Sequence, residues 1–135
     1  MYKVAEGEGE QMTELSPYAN ALKHSFDVGD RGPWESLMAP ECVNWHNTDK
    51  REVPSKELEG AGALRDFVDD LSTTIVQDVP FEGGHLIRMV IAGTTKSTGR
   101  QFEAHNCIVL TIAENGITRI DDYVGPDLSD AFTPT

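Results

Sequence analysis

Apolar residues along the first part of the chain recur at helical spacing. After Ser16-Pro17, which suits a helix start with Ser as cap and Pro in the first turn, Tyr18, Leu22 and Phe26 predict an amphipathic helix ending near Gly29. Pro33 opens a second, short helix carrying Trp34, Leu37 and Met38. The run ECVNWHN reads as a strand, broken by the charged TDKRE. From about Gly62 the pattern predicts a third helix, with Leu64, Phe67, Val68 and Leu71 as its buried stripe. Beyond it the period drops from about 3.6 to about 2 residues. TIVQDVPFEG, HLIRMVIAGT, RQFEAHNCIVLTI and ITRIDDYVG then read as successive strands, with hairpin turns at KSTGR and AENG. This order predicts one α+β domain over residues 13–135, with three helices packed on a curved, mostly antiparallel sheet. Residues 1–12, polar and rich in Gly and Glu, are expected to form a flexible N-terminal segment.

Composition narrows the class. A chain of 135 residues can bury one core, and 39% hydrophobic with 25% charged residues suits a soluble globular domain. The balance of 11 basic against 23 acidic residues gives a net charge of −12, so neither nucleic acid nor an anionic membrane is an expected partner. No window is apolar over a membrane-spanning length, and MYKVAEGEGE lacks the apolar core of a signal peptide, so a cytoplasmic location is expected. Cys42 and Cys107 sit in apolar or strand-like runs and are read as reduced, buried thiols. No Cys/His spacing suits zinc, and phosphate loop, GxSxG elbow and HExxH are all missing from the sequence. Neither a metal nor a cofactor is expected.

The stretch VNWHN raises the chemical question. A buried imidazole or amide without a partner costs about 1–3 kcal/mol, so Asn44, His46 and Asn47 either run along the surface or line something wet. Histidine titrates near neutrality, which suits His46 to carrying a proton. Arg88, between Leu86, Ile87, Met89 and Val90, is hard to place unless its charge is paired indoors. His85 is expected at a rim, and His24 on the solvated side of the first helix.

The element order, with GDRGPWESLMAPECVNWHN, EGAGALRDFV and ENGITRIDDYVGPD as landmarks, resembles the nuclear transport factor 2-like superfamily over roughly residues 16–128. Within it the sequence is similar to the SnoaL-like polyketide cyclases and the ketosteroid isomerases, with local likeness to limonene-epoxide hydrolase. The resemblance implies a cone enclosing a pocket. It places Asp122, and by alternation Ile120 and Val124, toward that pocket. It also implies that Arg88 pairs with Asp122 and that Val90 and Ala92 share its side; Val90 stands where the hydrolases keep a second acid. The isomerase base falls at His46, with Asn44 and Cys42 inside beside it, and the oxyanion-stabilising acid falls near Asn106, which would turn His105 outward.

Catalytic roles are therefore expected for His46, Asp122 and Arg88, and substrate contacts for Asn44, Asn106, Tyr18, Val90, Phe67 and Ile120. The function implied is a cofactor-free acid–base enzyme, a cyclase, isomerase or dehydratase, acting on a hydrophobic polyketide-, terpenoid- or steroid-like molecule. An epoxide hydrolase and a non-catalytic ligand-binding or dimerisation module are the alternatives. Ile87, Met89, Ile91 and Val109, read as an outward apolar face, predict a homodimer.

Overall fold

A computed structural model describes residues 14–58 and 60–134; the expected N-terminal segment, residues 1–12, lies outside the described residues. Helix α1, Pro17–Val28, starts and stops as its sequence dictates. The Ser16 hydroxyl accepts from the Ala19 N–H, and Gly29 ends the helix in the left-handed region at φ 79°. Helix α2, Gly32–Ser36, is a short turn that buries Trp34. The strands are β1 (Met38–His46), β2 (Glu52–Pro54), β3 (Val68–Phe81), β4 (Gly84–Thr95), β5 (Gln101–Ala113) and β6 (Gly116–Val124). They form one six-stranded sheet in the order β2-β1-β6-β5-β4-β3, antiparallel except where β1 runs parallel to β6. Register shifts interrupt β3 against β4 and β5 against β6, and such bulges bend a sheet. The sheet curls without closing, and α1 and α2 pack inside the curl.

Two parts of the chain depart from the pattern reading. The helix expected from about Gly62 is instead a 3-10 segment, Gly60–Asp66, while Val68 and Leu71 belong to β3. Glycine costs a helix about 1 kcal/mol, and GAGALRD contains two. The Thr- and Val-rich run that follows favours a strand. A third helix does exist, but at the other end: α3, Pro126–Phe132. Thr95 and Thr98 donate to the Ala131 carbonyl at 3.0 and 2.6 Å, and Arg100 donates to the carbonyls of Asp130 and Thr133 at 2.8 and 2.7 Å. The β4–β5 turn thereby holds α3 in place.

The phase of β4 is also opposite to the expected one. Ile87, Met89 and Ile91 are at most 1% exposed and face the interior, whereas Arg88 is exposed on the outer face with Val90 and Ala92. Because β4 between Leu86 and Ala92 is apolar at both parities except at Arg88, the phase that leaves the guanidinium in water buries more hydrocarbon and keeps that charge solvated. The outward apolar face that motivated a homodimer therefore loses Ile87, Met89 and Ile91.

His85 is not at a rim. It is 5% exposed, stacks on Tyr18 with ring centroids 5.2 Å apart, and sits 2.5 Å from Asp78. Asp78 also accepts from the Ser16 N–H and hydroxyl, at 2.6 and 2.7 Å. Burial raises the Asp78 pKa, but the hydrogen bonds from Ser16 and His85 outweigh it and hold the carboxyl below its ordinary value. The clasp thus stabilises the fold above the ordinary carboxylate pKa and fades as pH falls through the lowered one. Ser16→Ala removes both a cap and a clasp partner. It should cost about 1–2 kcal/mol, read as a lower denaturant midpoint at unchanged slope.

Candidate functional site

Strand parity brings the polar groups together. In the parallel pair, Asn44 lies opposite Ile120 and His46 opposite Asp122; on the other side of β6, Asp122 lies opposite Ile108 and Val124 opposite Asn106. All of these side chains line one interior cavity of about 260 Å³. Leu22 and Phe26 of α1, Trp34 of α2, Leu64 of the 3-10 segment and Leu128 of α3 complete an apolar wall around them. A second, more open depression of about 430 Å³, lined by Arg88, His105, Cys107 and Tyr123, shares Asn106 and Val124 with this cavity. The interior cavity is the better candidate, since an apolar enclosure with a few convergent polar groups is the usual form of a small-molecule site.

At its centre His46 Nε2 stands 3.4 Å from Asp122 Oδ2, with the two side chains 27% and 19% exposed. The contact with Asp122 raises the His46 pKa above its ordinary value; partial burial pulls it down, and the charges of Asp122 and Asp49 raise it again. The other carboxylate oxygen, Asp122 Oδ1, is buried and has no hydrogen-bond partner among the described residues, and the same holds for Asn106 Oδ1. Each such atom costs the fold about 1–3 kcal/mol.

The amides of VNWHN find specific partners. Asn47 Oδ1 accepts from the Val124 N–H at 2.9 Å, and its amide donates to the Val124 carbonyl at 3.2 Å. This clamps the end of β1 to β6 and fixes the register that sets His46 beside Asp122. Ser55, fully buried, places Oγ 2.5 Å from Asn44 Oδ1 and 3.2 Å from Cys42 Sγ. The single hydroxyl proton goes to the amide oxygen, the better acceptor, which leaves the Asn44 N–H₂ for the cavity. Trp45 turns to the outer face and packs on Tyr123, ring centroids 5.4 Å apart.

Of the residues expected at the site, Asn44, His46, Asn106, Ile120 and Asp122 line the cavity. The others do not. Arg88 and Val90 lie on the far face of β4, so no Arg88–Asp122 pair forms; Phe67 is 58% exposed; Tyr18 packs on His85. His24 pairs in solvent with Asp30 at 3.2 Å. Cys42 and Cys107 are free thiols, the former buried and the latter half-buried. Sequence reasoning missed Arg31, whose guanidinium reaches the cavity wall, donates to the Leu58 and Ser55 carbonyls and lies 3.2 Å from Glu35. It also missed Ser55 and Leu128. Of these only Leu128 carried a signal, in the helical spacing of Leu128, Ala131 and Phe132 after Pro126. The described residues contain no cluster of His, Cys, Asp and Glu able to hold a metal, and none of their helices is long and apolar enough to cross a membrane.

Curled sheet, packed helices and interior cavity together define the nuclear transport factor 2-like fold. The chain is similar to an NTF2-like protein from Burkholderia thailandensis E264, at 15% identity and a TM-score of 0.72, covering 90% of this chain and 100% of that one. It is equally similar to a protein of ketosteroid isomerase-like fold from Catenulispora acidiphila DSM 44928, solved with trimethylamine, at 16% identity, TM-score 0.71, and 90% and 96% coverage. A proposed SnoaL-like polyketide cyclase from Jannaschia sp. CCS1 aligns at 11% identity, TM-score 0.67, and 88% and 94% coverage. No family model and no curated protein matches the sequence.

Proposed function

We propose that the chain is an acid–base enzyme that cyclises, isomerises or dehydrates a small apolar molecule. The observation that carries this reading is the His46–Asp122 pair on an otherwise apolar wall, 3.4 Å apart, with Asp122 Oδ1 left without a partner. Asp122 takes a proton from the ligand. His46, kept protonated toward higher pH by the same carboxylate, returns a proton to the oxygen where charge develops. The Asn44 N–H₂, oriented by Ser55, donates to that oxygen as a preorganised dipole. The cyclase and isomerase-like neighbours, and the small amine held by one of them, support a small-molecule site on this fold. Epoxide opening by an arginine between two acids finds no support from Arg88 and Val90, which sit outside the cavity.

The test begins with a screen of one- to four-ring apolar compounds for thermal stabilisation, and any binder is then assayed for turnover. If the two side chains act as a unit, Asp122→Asn, His46→Gln and the double variant should all be slowed to a similar level. Wild-type turnover in Asp122→Asn would leave a ligand-binding domain without this chemistry, and losses that simply add would show that the two side chains do not act as a unit.

A further inference from the structure

We infer that the outer face of the sheet carries a second binding site, for an aryl carboxylate, with Arg88 holding the carboxylate and Tyr123 the ring. The site stands apart from the reading given to the interior cavity. Register builds it. Arg88 on β4 lies directly opposite Cys107 on β5, and Cys107 lies directly opposite Tyr123 on β6. Opposed residues share a face of the sheet, so the three side chains form one row across three strands. That face is the outer one. Ile87 and Met89 on either side of Arg88, and Asn106 and Ile108 on either side of Cys107, are all at most 5% exposed. The row lines the more open depression, together with the exposed His105.

Charge selects the ligand class. The chain has 23 acidic residues against 11 basic ones, yet neither Asp nor Glu lines this depression. Arg119, the other arginine of the strands, is held by Glu52 at 2.6 Å and Asp121 at 3.0 Å. Arg88 forms no ion pair among the described residues. Of the acids flanking the row on the same face, Asp121 is thus engaged by Arg119, and Glu103 lies two residues beyond His105 in solvent. Burial pushes the Cys107 thiol up and the Arg88 charge pulls it back, so the field of the guanidinium reaches the half-buried middle of the row. A planar guanidinium receives a carboxylate through two parallel hydrogen bonds. Tyr123, 46% exposed and backed by the Trp45 ring at 5.4 Å, offers a supported aromatic face. The two residues stand two strand spacings apart, about 10 Å, which a carboxylate joined to two fused rings can bridge.

The experiment follows alkylation of Cys107 by iodoacetamide in the full chain, resolved by mass spectrometry, with 2-naphthoate or its neutral counterpart 2-naphthamide added. Cys42, 3% exposed, is the internal control. 2-Naphthoate is expected to slow the labelling of Cys107 saturably, with an affinity roughly fivefold or more above that of the amide, and added salt should weaken it. In Arg88→Gln the protection should vanish while the thermal midpoint stays unchanged, since the side chain is exposed. Rates are compared with and without ligand within each variant, because removing Arg88 itself alters the thiol. No protection by 2-naphthoate, equal protection by acid and amide, or protection that persists in Arg88→Gln overturns the site. So does sedimentation of a dimer in which Cys107 is already shielded without ligand, because the row is then an interface between copies. Turnover by His46 and Asp122 enters none of these readings, so either inference can fail and leave the other standing.

Discussion

His46→Ala is expected to lower turnover of a processed ligand by roughly 10²–10⁴-fold while leaving the thermal midpoint nearly unchanged. The side chain is 27% exposed and its one polar contact, at 3.4 Å, is long, so the fold loses little when it goes. The pH dependence follows from the direction of the shift. His46 is raised, chiefly by Asp122, so the ion pair's contribution to stability is complete below the ordinary histidine value and is lost as pH rises through the raised one. A rate that needs the imidazolium as acid falls over the same upper window. In Asp122→Asn that break should move to lower pH, because the carboxylate that raises His46 has gone. A wild-type rate in His46→Ala, or an unmoved break in Asp122→Asn, would remove His46 from the chemistry.

The largest stability effect should come from β4. Ile87 is 0% exposed, and Ile87→Ala is expected to cost about 2–5 kcal/mol through lost burial and a residual cavity. Arg88→Ala, one residue along and exposed, should stay within about 0.5 kcal/mol. Chemical denaturation of both variants decides the phase of the strand. If the costs were exchanged, Arg88 would face inward and the site would have to be rebuilt around it.

How far the sequence could be read differs from element to element, for physical reasons. Ser16-Pro17 and Gly29 bound α1 because caps act through local hydrogen bonds and backbone φ, which one residue can decide. Asn106 alternates with Ala104 and Ile108, so β5 has one apolar parity and one orientation. In VNWHN alternation puts Asn44 and His46 on one side and Val43 and Trp45 on the other, while the choice of inward side came from the likeness to the isomerases, which places their base at His46. At β4 alternation is silent: Leu86, Val90 and Ala92 are as apolar as Ile87, Met89 and Ile91. Orientation there rested on pairing Arg88 with Asp122, a likeness to relatives in which other residues differ. The missed ring of Arg31, Ser55 and Leu128 has a different cause. Arg31 and Ser55 sit in short turns that no local period announces, while Leu128 has a helical spacing whose place in the fold is set by tertiary contacts such as Thr95 and Thr98 on the Ala131 carbonyl.

The parallel pairing of β1 with β6 also governs how the protein is made. In the sheet order β2-β1-β6-β5-β4-β3, β1 has only the three-residue β2 as partner until the last strand joins it. During synthesis β1 therefore leaves the ribosome long before the chain that will cover its other edge. The β3–β4–β5 meander can form from neighbours in sequence, whereas β1 must wait for a closure between distant parts of the chain. Until then the edge bearing Asn44 and His46 is open to pairing with another copy. The pairing that completes the cavity is thus also the one that covers this edge.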